Sequence, residues 1–220
     1  MTKLMAETTT LHPIQTDAWV RASWDEFVAT AYSPTYQEGR AYYDHGYMRI
    51  EMASLGASHG KDNSLISAVF LLYGLAKNLP MEQLINTSFR KTGVRECQPD
   101  LAYYIGATIP TLPRNNAPIN VDVYGPPSLV VEVGASSFSD DLGAKRLLYE
   151  QLGVGEYWVV NTAELSVIAF EVADGHSGRI DVSTVLPNLN ISLVNEALQR
   201  SASGNITTVG AWLMERYQAL

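Results

Sequence analysis

The chain has 220 residues, enough for one ordinary domain with a full core, and 46% hydrophobic against 17% charged residues excludes a disordered polymer. A formal net charge of −8 argues against a broadly basic nucleic-acid-binding surface, though not against a small basic cleft beside an acidic metal site. The single cysteine, Cys97, excludes an intramolecular disulfide and fits a reducing compartment.

The first residues lack a basic start, an apolar run and a small-residue cleavage site. The longest strongly apolar stretch, SAVFLLYGLA, falls well short of the about 20 residues a bilayer requires. A cytoplasmic, non-membrane setting is therefore expected. Residues 1–16 are polar, Thr-rich and aperiodic, which predicts a flexible tail. Ser23, with Glu26 at the third helical position, forms a capping box that opens a short helix. Two strands, Arg40 to Tyr43 and Tyr47 to Met52, are expected around a turn at Asp44-His45-Gly46. After a loop at 53–58, Leu65, Val69, Leu72 and Ala76 repeat at helical spacing inside a helix from about His59 to Asn78. Pro80 ends that region.

Asn86 to Lys91 and Gln98 to Ile105 read as strands, and in the second Asp100, Ala102 and Tyr104 share one face. Pro110, Pro113, Pro118, Pro126 and Pro127 make Gly106 to Pro127 a long surface excursion. The apolar run that follows, bounded by Pro127 and Gly134, reads as a buried strand with Glu132 inside it. A carboxylate there is costly unless it is paired, coordinated or hydrogen-bonded. Ser139 is the expected N-cap of the next helix, with Asp140 and Asp141 in its first turn, where the helix dipole favours acids. At helical spacing Leu142, Leu148, Tyr149 and Leu152 share a face, and Lys145 lies near its middle. Further on, Glu156 to Val160 and Leu165 to Val172 form an expected hairpin, with another strand near Arg179 to Leu186. Two terminal helices, Leu193 to Arg200 and Thr208 to Tyr217, flank the breaker Ser203-Gly204-Asn205. The order of elements predicts an α/β domain over 17–190, its sheet covered by helices, with a helical extension at 191–220.

Two opposite charges, Glu132 and Lys145, thus point where apolar side chains are expected. Asp100 lies 132 − 100 = 32 residues before Glu132. Two carboxylates on neighbouring strands can share a hard divalent cation such as Mg2+. A lysine beside them can orient a water, lower its pKa or steady the charge of a phosphorane-like transition state. The competing account is a structural ion pair between Glu132 and Lys145, with Asp100 capping a turn; a lysine that lays its stem on apolar surface and lifts its head to water is another.

The segments QPDLAYY, LVVEVGASS, DDLGAKRLLYEQLGV and EYWVV resemble, in order and spacing, the Uma family of endonucleases within the restriction-endonuclease-like PD-(D/E)XK superfamily. The upstream segment YYDHGYMRIEM…SH is similar to the family's strand-turn-strand and His-led helix, so the resemblance runs from about Trp24 to Glu171. It implies a mixed central sheet flanked by helices, Asp100 and Glu132 as ligands of Mg2+ or Mn2+, a DNA substrate and, by analogy, a homodimer. The superfamily's lysine usually stands two residues after the glutamate, where this chain has Gly134; the matching lysine is Lys145. Tyr42 stands where the family often has a glutamate, and Glu51 on the neighbouring strand is the candidate to compensate.

His59 at a helix start and Gln98 beside Pro99-Asp100 are accessory candidates, against plain capping and strand-bonding roles. Lys61, Arg90, Lys91, Arg95 and Arg146 form either a modest backbone-binding rim or an ordinary solvated surface. Two functional classes lead, with a small-molecule hydrolase using the same metal site as a third. One is a metal-dependent endonuclease; the other is a catalytically inactive nuclease-fold module for nucleic-acid binding or protein assembly.

Overall fold

The computed structural model describes residues 13–52, 56–134 and 137–219. Most of the expected tail and the first half of the 53–58 loop lie outside these residues. β1 (Val20–Arg21) leads into α1 (Trp24–Ala31). The capping box of α1 is complete: Ser23 Oγ accepts from the Glu26 N–H, and the Glu26 carboxylate accepts from the Ser23 N–H. β2 (Arg40–Asp44) and β3 (Tyr47–Glu51) form the expected hairpin, with His45 and Gly46 both at positive φ, as its tight turn requires. α2 (Ala57–Lys77) follows, and then β4 (Met81–Ile85), β5 (Phe89–Lys91), β6 (Arg95–Cys97) and β7 (Leu101–Ile105).

The proline-rich stretch contains only β8 (Ile119–Asn120) and the single turn α3 (Val121–Tyr124). β9 (Leu129–Gly134) is the expected buried strand. A bent helical segment follows, made of α4 (Phe138–Asp140), a π-helical turn (Asp141–Lys145) and α5 (Arg146–Leu152). β10 (Glu156–Asn161), β11 (Ser166–Ala173) and β12 (His176–Ile180) precede α6 (Ile191–Ser203) and α7 (Ile206–Ala219).

Several elements depart from expectation. Ser139 lies inside α4; the helix starts one residue after Ser137, and no side chain caps it. The strand expected from Asn86 begins only at Phe89, because Asn86 itself takes a positive φ of 49°. β4 and β6 carry no alternating apolar signature and exist by pairing with β7 and with β2 and β5. The last strand ends at Ile180 instead of Leu186, since a tight turn with Asp174 and Gly175 at positive φ pairs it with β11 from Ala173 and His176 onward.

Among the described residues the strands form two six-stranded sheets. The central one, in the order β12-β11-β10-β9-β7-β4, is mixed: β9 and β10 are parallel, joined by the bent helical segment, and the other pairs are antiparallel. The second runs β1-β3-β2-β6-β5-β8. This is an α/β fold with mixed sheets and flanking helices, the architecture of restriction-endonuclease-like proteins. Strand alternation sorts the side chains into three cores. Leu129, Val131 and Val133 of β9, with Leu101, Tyr103, Trp158 and Val160, pack under α2, α6 and α7. Val130, Ala102, Tyr104, Tyr157 and Val159 face the other way, onto Tyr42, Phe89 and Cys97 of the second sheet and onto α5. Ala41, Tyr43, Met48 and Ile50 face α1. The terminal helices therefore contribute Val194, Leu198, Val209, Leu213 and Tyr217 to the same core as β9 and β10.

Candidate active site

The charged cluster lies between the two sheets. On β9, Glu132 falls out of step with Val131 and Val133 and shares the face of Val130. β7 pairs antiparallel with β9 through Leu101↔Val131 and Ala102↔Val130, so the same register sets Asp100, one residue before β7, beside Glu132. The Val133 N–H donates to Asp100 Oδ2 at 2.8 Å and fixes that carboxylate. The second sheet answers from across the gap. Alternation sends Ala41 and Tyr43 to α1, and it leaves Arg40 and Tyr42 of β2, with Arg49 and Glu51 of β3, on the inner face.

Lys145 is the last residue of the π-helical turn, and its ammonium is wholly buried. Its Nζ stands 2.8 Å from Glu51, 2.9 Å from Asp141 and 3.9 Å from Glu132, over the Tyr42 ring at 4.3 Å. At Gly134 a Cβ would meet Ser137 Oγ, which is bonded to Asp141, so a side chain there would require Ser137 to turn and give up that bond.

Arg40 occupies the middle of the acids. Its Nη1 lies 2.7 Å from Asp100 Oδ1 and 3.6 Å from Glu132 Oε2, and its Nη2 lies 2.9 Å from Glu51 Oε2. His59 Nε2 reaches the same Asp100 oxygen at 3.1 Å. Glu132 Oε1 accepts from the Tyr149 hydroxyl at 2.7 Å and lies 3.1 Å from that of Tyr42. Arg49 contacts Glu51 at 2.9 Å and Asp140 at 3.4 Å.

These surroundings set the protonation states. Burial pushes the Glu132 carboxyl up to about 8, with Asp100 and Asp141 adding to the rise against Lys145 and Arg40. Burial alone would raise Asp100, but His59 and Arg40 hold it below the ordinary carboxylate range. Glu51 is lowered likewise, with Lys145 and Arg40 overcoming burial. Burial works against the charge on Lys145, yet Glu132, Asp141 and Glu51 hold its pKa above that of an ordinary lysine. Lys145 is thus a fixed ammonium, able to donate and to offset negative charge.

The structure therefore brings together five of the sequence candidates: Asp100, Glu132, Lys145, Glu51 and His59. Gln98 is not among them. Its side-chain amide donates to the Asn86 carbonyl, and only its main-chain oxygen touches the cluster, 3.0 Å from the Tyr42 hydroxyl. The basic rim is dispersed. Arg90 pairs with Glu96, Arg95 is buried on Asp44 and Gln151, Lys91 lies near Asp122, and Arg146 bonds Ser177. Arg40, Arg49 and Asp141 were not legible as members, although Asp141 precedes Lys145 by the four residues that stack side chains on a helix.

Asp100 and Glu132 present oxygens to one end of the Arg40 guanidinium, Nη1, and Glu51 to the other, Nη2. Among the described residues, no group of three or more His, Cys, Asp or Glu is arranged to hold a metal ion. Nor is any described helix long and apolar enough to cross a membrane.

Comparison with known proteins gives a family and a fold. The Uma2 family profile, described as "Putative restriction endonuclease", matches residues 24–206. No curated protein sequence matches the chain. Among solved structures, the fold is similar to a protein from Anabaena variabilis described as "a putative nuclease belonging to DUF820", at a TM-score of 0.58 and 16% identity, covering 80% of this chain and 99% of that one. With a family match spanning the whole central sheet, all five convergent candidates and α6, the chain belongs to the Uma2 family.

Proposed function

We propose that this protein is a metal-dependent endonuclease that hydrolyses DNA phosphodiester bonds. The observation that carries the reading is the convergence of Asp100, Glu132, Glu51 and Lys145 from four separate elements, between two sheets, in a chain of this family. An all-oxygen donor set suits Mg2+ or Mn2+, and Mg2+ is commonly held by one or two carboxylates with water completing its shell. Asp100 and Glu132 are the proposed ligands. Glu51 Oε2, buried and without a directed hydrogen bond, is a third oxygen of the right kind. Bound there, the ion would supply Lewis-acid polarisation and a more acidic water.

The chain's own groups do the rest. Lys145, kept charged by its acids, orients a water and offsets the charge gathering on the phosphate. His59 fixes the outer oxygen of Asp100, and Tyr149 and Tyr42 fix the inner oxygen of Glu132. The reading carries with it a homodimer, one site per strand, and a cytoplasmic setting in which the lone Cys97 stays reduced.

A second reading, an inactive nuclease-fold module for nucleic-acid binding or assembly, is favoured by one observation: Arg40 fills the space between the proposed ligands. One experiment separates the two. Purified protein is incubated with supercoiled, linear and single-stranded DNA in Mg2+ or Mn2+, beside Asp100→Ala and Lys145→Ala. The expected result is cation-dependent cleavage that falls about 100-fold or more in each variant while the circular dichroism spectrum is kept. Cleavage surviving both substitutions overturns the mechanism, and absence of cation-dependent cleavage favours the inactive module.

A further inference from the structure

We propose that Arg40 and the divalent cation are alternative occupants of one position, so that metal binds only when the guanidinium withdraws. The inference rests on the metal-dependent reading and concerns how that site is loaded. Arg40 touches both proposed ligands, Asp100 and Glu132, and also Glu51, the third candidate oxygen. The nitrogen-to-oxygen distances run from 2.7 to 3.6 Å. Mg2+ requires oxygens at about 2.1 Å, so around an ion at the Nη1 position Asp100 and Glu132, now at 2.7 and 3.6 Å, would have to close in by roughly 0.6 and 1.5 Å. A guanidinium in the middle prevents that closure. It also sets a positive charge at contact distance from any incoming cation.

The fit of Arg40 is itself incomplete. Glu51 Oε2 is buried and lacks a directed hydrogen bond although Arg40 Nη2 stands 2.9 Å from it. Most buried polar atoms of a structural network are hydrogen-bonded, and this one is not. Arg40 is also the member with a way out. Its side chain is 16% exposed, against 0–5% for Lys145, Asp100, Glu132 and Glu51. It sits at the first position of β2, where the chain enters from a turn. Displaced toward solvent, the guanidinium is at the mouth of the cluster, where a substrate phosphate can accept from it in bidentate fashion.

The test measures metal binding directly. Mn2+ is titrated by calorimetry, and by loss of the free-ion paramagnetic resonance signal, into the wild type, Arg40→Gln, Arg40→Ala and Arg40→Gln combined with Asp100→Asn. Circular dichroism checks each fold. Expected is at least tenfold tighter Mn2+ binding in Arg40→Gln than in the wild type, abolished by adding Asp100→Asn. Millimolar guanidinium should weaken Mn2+ binding to Arg40→Ala and leave the wild type unchanged, a result that a merely structural role for Arg40 does not give. Should the neutral variants not fold, the wild type still decides. Addition of diamagnetic Mg2+ must shift the Arg40 Nε–H resonance, identified by its absence in Arg40→Lys. Equal Mn2+ affinity in wild type and Arg40→Gln, or Mg2+ binding that leaves the Arg40 resonance in place, overturns shared occupancy while the metal reading stands. No Mn2+ binding to any folded form overturns both.

Discussion

Two buried glutamates on adjacent strands of the central sheet are handled in opposite ways. Glu156, at the start of β10, is fully buried, and five donors converge on it: the indole of Trp158, the hydroxyls of Ser183 and Thr184, and the N–H groups of Thr184 and Val185. Both of its oxygens are answered, and no lysine or arginine is needed. Glu132 on β9 is equally buried but receives two phenols on one oxygen, while the other faces Arg40 and Lys145 at 3.6 and 3.9 Å. Around it Lys145 holds Glu51 Oε1 at 2.8 Å and Asp141 Oδ1 at 2.9 Å, while Glu51 Oε2 has no directed hydrogen bond. The first arrangement is a finished knot that ties the 183–185 segment to the sheet. The second leaves one oxygen of its glutamate with long ion-pair contacts alone, and a buried polar atom answered so loosely needs a reason to persist. Burial alone does not distinguish a functional acid from a structural one; the state of its lone pairs does.

The largest expected effect tests that contrast. Glu156→Gln turns an amide nitrogen toward donors and leaves at least one of them unanswered, so stability should drop by about 3 kcal/mol. Glu132→Gln should change stability by less than about 1 kcal/mol near neutral pH, because an amide mimics the protonated form that burial favours there. Urea unfolding of both variants beside wild type measures the difference. Equal losses would erase the distinction between the two acids.

The pH dependence sharpens it further. In the metal-free protein the Glu132 carboxyl is raised from 4.5 to about 8, so the folded state holds a proton that the unfolded chain has released. Its contribution to stability is present below pH 4.5 and is lost as pH rises through 8. Wild type should therefore lose stability across that window, and Glu132→Gln should lose less. A variant whose stability curve runs parallel to wild type between pH 5 and 8.5 would show that the proton is not held there.

Much of this site was legible because sheets obey a period of two. Asp100, Ala102 and Tyr104 had to share a face, and Glu132 had to oppose its apolar neighbours, whatever the rest of the chain did. The helical face around Lys145 survived a π-helical turn that no residue announced, since Leu148, Tyr149 and Leu152 still bury together with it. Arg40 was not legible. The same alternation pairs it with Tyr42, but a strand gives no sign of which face will meet a second sheet, and that the chain builds two sheets was not foreseen. β4 shows the same gap, for MEQLI gains its strand from β7 rather than from its own side chains.

The finest test exchanges single hydroxyls on the two acids. Ser183 Oγ reaches both Glu156 oxygens at 3.1 and 2.9 Å and accepts from the Leu186 N–H at 2.9 Å. Ser183→Ala removes a bond to the acid and strands a buried N–H, at a cost of about 2 kcal/mol. Tyr149 makes an equally short bond to Glu132, 2.7 Å, and Tyr149→Phe keeps the ring stacked on Tyr157. Where Glu132 carries a proton, that bond joins two neutral groups, so its loss should cost only about 0.5–1 kcal/mol. The order matters more than either value. A serine that proves cheaper to remove than the tyrosine hydroxyl would mean that Glu132 is the anchored acid and Glu156 the spare one, and it would remove the reason for seeking the chemistry between the sheets.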